Sequence, residues 1–62
     1  KRMTVREKEI VAIATKLLAG MVSNPHLYTT VSDEEGRGHQ EQLLILNAVR
    51  MAEELVNRVQ RS

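Results

Sequence analysis

The 62-residue sequence contains no cysteine, no tryptophan and no phenylalanine; its one aromatic residue is Tyr28 and its one proline is Pro25. The lack of cysteine excludes a disulfide framework and any thiolate zinc module. With a single aromatic, a core has to be assembled from aliphatic side chains, and hydrophobic residues make up 42% of the chain. A chain of this length buries only about 60% of the surface it exposes when unfolded. Without staples, stability has to come from association, with copies of itself as the natural partner. An excess of one charge is missing too. Nine Lys and Arg stand against eight Asp and Glu, unlike the clustered basic surplus of a dedicated nucleic-acid binder. The apolar run Leu43-Leu44-Ile45-Leu46 is far short of the roughly 18 residues of a membrane span. No secretory signal pattern is visible. These absences point to a cytoplasmic protein with no membrane partner, in which Met3 reads as the natural start.

What is present is helical periodicity. Thr4 followed by Glu7 forms a capping box, in which the threonine oxygen accepts from the Glu7 amide and the glutamate reaches back. From Val5 onward, apolar residues at 10, 11, 13, 14, 17, 18, 21 and 22 fall on two adjacent helical stripes. Asn24-Pro25 ends the pattern, because a residue before proline is pushed out of the α region. A first helix is therefore expected over about 5–23. In the second half, Leu43 to Leu46, Ala48, Val49, Met51, Ala52, Leu55, Val56 and Val59 fill another broad stripe. The opposite side carries Glu41, Arg50, Glu53, Glu54, Asn57, Arg58 and Arg61. Glu54 and Arg58 are an i, i+4 pair in the favourable order. A second helix is expected over about 39–61.

The intervening stretch, 24–38, is longer than the roughly 2–8 residues of an ordinary helical hairpin. Ser32-x-x-Glu35 is a second capping box, so a helical turn is expected from Asp33. Gly36 and Gly38, each costing about 1 kcal/mol inside a helix, argue for a break before the main helix. Leu27, Tyr28 and Val31 are apolar enough to pack over the helix ends. The connection reads as a partly ordered flap.

The fold class is all-α, an antiparallel helical hairpin forming a single domain. Both stripes are wider than one seam requires, and wide exposed apolar patches mark association sites. Dimerisation into a four-helix bundle is the simplest closed solution. Ala12, Ala14, Ala19, Gly20, Ala48 and Ala52 permit close helix approach. The expected oligomer interface comprises Ile10, Ile13, Leu17, Leu18 and Met21 of the first helix. The second contributes Leu44, Ile45, Ala48, Met51, Ala52, Leu55 and Val59.

Candidate chemistry is sparse. His26 and His39 lie near Asp33, Glu34 and Glu35, but no HxxxH or HxxE spacing joins them, so no metal site is assigned. Ser23, Thr29, Thr30 and Ser32 read as turn and cap residues, and Met3, Met21 and Met51 as gap fillers. No nucleophile–base constellation stands out, no cofactor is called for, and the chain reads as a non-enzyme. The one local arrangement that suggests a ligand is Gly36-Arg37-Gly38-His39. Glycines let backbone amides turn toward an anion, a helix N-terminus favours one, and Arg37 supplies a fork of donors. A phosphate or nucleotide would sit against Tyr28, Arg37 and His39. The competing reading is a flexible glycine turn with a solvated arginine.

The run from Ile13 to Pro25, with Ala19-Gly20-Met21-Val22-Ser23-Asn24-Pro25 at its end, is followed by Ala48-Val49-Arg50-Met51-Ala52-Glu53-Glu54-Leu55-Val56. Together these resemble the small helical-hairpin proteins of tailed phages and prophages, across most of residues 10–59. The resemblance implies a hairpin of phage type and no particular activity. A weaker likeness, at Ala48-Val49-x-Met51, is to the hairpin domain of phage anti-defence sponges, oligomers that sequester cyclic nucleotides. The leading expectation is thus an oligomer acting through protein contacts with itself, or with a host or phage protein. The alternatives are a nucleotide- or anion-binding oligomer, and a nucleic-acid binder like the Rop-type bundle using Arg6, Lys8 and Lys16.

Overall fold

The computed structural model of the chain describes residues 2–28 and 33–61. Two helices, α1 over Val5–Val22 and α2 over Glu34–Arg61, pack against each other as a hairpin. The α1 start follows from its cap. The Glu7 amide donates to Thr4 Oγ1 at 3.1 Å and the Thr4 amide donates to Glu7 Oε1 at 2.9 Å. Two N–H groups that a helix end leaves without partners are thereby satisfied. At the other end Ser23 is the C-cap, and its hydroxyl and amide both donate to the Ala19 carbonyl. Asn24 then folds the chain back. Its side-chain oxygen accepts from the His26 amide at 2.9 Å, and its carbonyl accepts from the amides of Leu27 and Tyr28. Leu27 remains about half exposed. Thr29, Thr30, Val31 and Ser32, expected as turn positions, a packing residue and a cap, lie outside the described residues.

The second helix corrects the expectation for the connection. It begins at Glu34, not His39, and Gly36 and Gly38 are inside it. Asp33 provides the reason: its side-chain oxygen accepts from the Glu35 amide at 3.1 Å, and its carbonyl from the Arg37 amide at 3.0 Å. Glu34 and Glu35 in the first turn complement the positive end of the helix dipole. A cap plus two well-placed carboxylates together are worth about as much as the two glycines cost. The helix therefore propagates backward from its strongly helical middle. The connecting stretch shrinks to 23–33.

The helices meet through small side chains. Ala14 of α1 and Ala48 and Ala52 of α2 form the buried centre, with Ile10, Ile13, Leu17, Leu18, Met21 and Val49 packed partly buried around it. The buried residues of α2 are Leu44, Ala48, Ala52 and Val56. They form a row at i, i+4 spacing, one of the ridges by which helices interlock. At the open end of the hairpin Arg6 bridges the two helices, donating from Nη1 to Gln60 Oε1 and from Nη2 to Asn57 Oδ1. The expected Glu54–Arg58 pair forms on α2 at 2.8 Å.

The result is a slab one helix thick. Its principal extents are 43 × 28 × 13 Å, the smallest close to the roughly 10–12 Å diameter of a single helix. Its radius of gyration is 13.5 Å, where a compact domain of this length has about 11 Å. Among the described residues no helix is long and apolar enough to cross a membrane.

Candidate functional site

A single layer has two faces, and each carries an apolar groove along the line where the helices meet. One groove lies between Val11, Ala14, Thr15 and Leu18 of α1 and Ile45, Ala48 and Val49 of α2. The other lies between Glu9 and Ile13 of α1 and Leu55, Val56, Val59 and Gln60 of α2. Ile13 follows Val11 by two residues, a rotation of about 200° on a helix, so the two grooves are on opposite sides of the slab. Each has a volume of about 270 Å³ and is open-sided, below the roughly 300–1,000 Å³ of an enclosing small-molecule pocket. Such shallow, elongated grooves suit the side chains of further helices.

The expected interface residues divide three ways. Ala48 and Ala52, 1% and 0% exposed, are enclosed between α1 and α2, and Leu44 is also buried. They hold the two helices of the hairpin together, and Ala48 also forms the floor of the groove on the Val11 side. Ile10, Ile13, Leu17, Leu18 and Met21 are shared, partly covered by α2 and partly open. Ile45, Met51, Leu55 and Val59 remain largely exposed, at 44–67%. Val11, Val22 and Leu46, also 44–48% exposed, are additional to the expected interface. Their signal is present in the spacing: Val11, Thr15, Leu18 and Val22 repeat at the four-three-four steps of a second helical seam.

The four consecutive apolar residues of α2 point to different sides of the helix. Leu44 points into the hairpin, while Leu43, Ile45 and Leu46 keep 44–50% of their surface exposed.

The anion site expected at Tyr28, Arg37 and His39 is arranged differently. A concavity of about 580 Å³ at the start of α2 is lined by Asp33, Glu34, Glu35, Gly36, Gly38, His39 and Gln42. His39 reaches it, but Tyr28 and Arg37 do not line it. Arg37 instead lies 4.0 Å from Glu34 on its own helix. The glycines are in helical backbone, so they form no loop of amides turned toward a ligand. With three carboxylates around it, this concavity repels an anion. Arg6, one of the basic residues considered for nucleic acid, has its guanidinium engaged with Asn57 and Gln60. Among the described residues no group of three or more His, Asp or Glu converges as a metal site would.

Compared with known protein families, curated proteins and solved structures, the chain has no match.

Proposed function

We propose that this chain is a non-enzymatic self-association module: a helical hairpin that pairs with a second copy into a four-helix bundle and acts through protein contacts. One observation carries the reading. The chain has an accessible surface of 5168 Å², whereas a compact folded monomer of its mass has about 4,000 Å². The surplus of about 1,100 Å² compares with the roughly 800 Å² that each partner buries in a standard protein–protein interface. A slab with a centre of three alanines has, in effect, half of a core, and stacking two slabs completes the usual two-layer architecture. The resemblance to small phage hairpins supports the same reading and suggests a phage-type origin, with a host or phage protein as the further partner.

Sedimentation equilibrium or light scattering at micromolar concentration tests the proposal. A species of twice the chain mass is expected, with a thermal midpoint that rises with protein concentration, as linked association requires. A folded hairpin that stays monomeric across that range would overturn it. Retention on heparin that weakens steeply with salt would instead favour the nucleic-acid alternative.

A further inference from the structure

The hairpin carries its charge unevenly along its length. The Arg6 bridge to Asn57 and Gln60 holds the start of α1 level with the end of α2, and Ala14 and Leu18 lie beside Ile45, Ala48 and Val49. At about 1.5 Å per residue, the 28 residues of α2 run the whole 43 Å length of the slab. The middle of that length is near Ala48. On the side of the connection, Asp33, Glu34, Glu35 and Glu41 stand against Arg37 among the described residues. On the open side, residues 2–16 and 48–61 hold seven Lys and Arg against four Glu. One half therefore has a net charge of −3 and the other of +3. The Glu34–Arg37 and Glu54–Arg58 pairs each lie within one half and leave the difference unchanged. The dipoles of two antiparallel helices oppose each other and do not offset it.

We infer, resting on the self-association reading, that the second copy stacks with its long axis reversed, so that the acidic closed end of each hairpin lies over the basic open end of the other. Packed helix layers are about 8–10 Å apart, about one Debye length at physiological ionic strength. Charges that face each other across the seam therefore interact, while those at opposite ends of one slab are screened from each other. With the ends matched, −3 faces −3 and +3 faces +3; with the ends reversed, each half faces its complement. Both orders run every helix antiparallel to the helix it covers, so the helix dipoles do not choose between them. Both broad faces expose large aliphatic residues, Val11 and Ile45 on one and Leu55 and Val59 on the other. The reversed order holds whichever face forms the seam, because the two faces share the same two ends.

Salt tests the order by the sign of its effect. The dimer dissociation constant is measured by sedimentation equilibrium between about 20 and 150 mM sodium chloride. Reversed pairing should weaken by about three- to ten-fold over that range, as attraction across the seam is screened. Matched pairing would tighten instead, because salt would screen a repulsion. Glu41→Gln removes one negative charge from the closed end at nearly constant size. It should weaken the dimer by about two-fold at low salt and flatten the salt dependence, where matched ends predict tightening. A distance comparison is independent of charge. The chain has no cysteine, a Cβ at Gly38 meets open space, and Val5 at the start of α1 is 73% exposed, so Gly38→Cys and Val5→Cys each give one label site. Energy transfer from a donor on Gly38→Cys chains should be stronger to an acceptor on Val5→Cys partners than on Gly38→Cys partners. Equal or opposite transfer, or pairing that tightens with salt, would overturn the reversed order while leaving a dimeric wild type intact. A monomeric wild type would instead remove the self-association reading itself. Should Glu41→Gln lose helical circular dichroism, the wild-type salt series and the label pairs still decide the order.

Discussion

Replacing Gly38 by alanine measures whether α2 really runs through the stretch that the sequence suggests is broken. Gly38 lies in the second turn of the helix, and its φ is not positive. A Cβ built there meets nothing within 4 Å. The substitution therefore introduces no clash and no strain. What remains is the difference in helix propensity, about 0.8–1.0 kcal/mol in favour of alanine, part of which acts by restricting the unfolded chain. A gain of about 0.5–1 kcal/mol is expected. In a domain of 60–100 residues 1 kcal/mol corresponds to about 4–8 °C in Tm, so the midpoint should rise by about 2–8 °C. The assay is urea and thermal unfolding followed by far-ultraviolet circular dichroism, with both proteins at one fixed concentration because association raises Tm by mass action. The urea midpoint should move with no change in slope. A neutral or destabilising result would refute the reasoning, since it would mean that residue 38 is in non-helical backbone where the propensity term does not apply.

Other perturbations report on other parts of the fold. Gly20→Ala should stabilise by a similar 0.5–1 kcal/mol or so, because its Cβ also meets open space. Ala52→Leu, at a fully buried position between the helices, should cost about 1–3 kcal/mol through overpacking, seen as a lower urea midpoint. Arg6→Ala removes the bridge to Asn57 and Gln60. It should cost about 1 kcal/mol and speed amide exchange in the last turns of α2 more than in its middle. Thr4→Ala removes the α1 cap and should cost about 1 kcal/mol, with faster exchange of the Glu7 amide.

Several features of this protein are determined by its sequence alone because they depend on neighbours within one turn. Thr4 and Glu7 are three residues apart and must meet if a helix starts between them. Asn24-Pro25 stops α1 whatever packs around it. The apolar residues recur at helical spacing on stripes too wide for a single seam, so the all-α class and the surplus of hydrophobic surface follow from the spacing itself. Other features depend on residues far apart in the chain, or on a balance between competing terms of about 1 kcal/mol. The start of α2 is set by such a balance, with the Asp33 cap and the Glu34 and Glu35 charges offsetting Gly36 and Gly38. The bridge from Arg6 to Asn57 and Gln60 joins opposite ends of the chain, and no local pattern announces it. The sharpest case is the division of the apolar stripe itself. Periodicity gives the width of a stripe but not which strip of it a neighbouring helix will cover. Only the packed hairpin shows that the Leu44–Ala48–Ala52–Val56 row is used internally, while Val11, Ile45 and Leu55 are left outward on two opposite faces. Tertiary packing decides this because the small side chains of Ala14, Ala48 and Ala52 let the helices approach closely along that row. The larger apolar residues beside it are turned toward one face or the other.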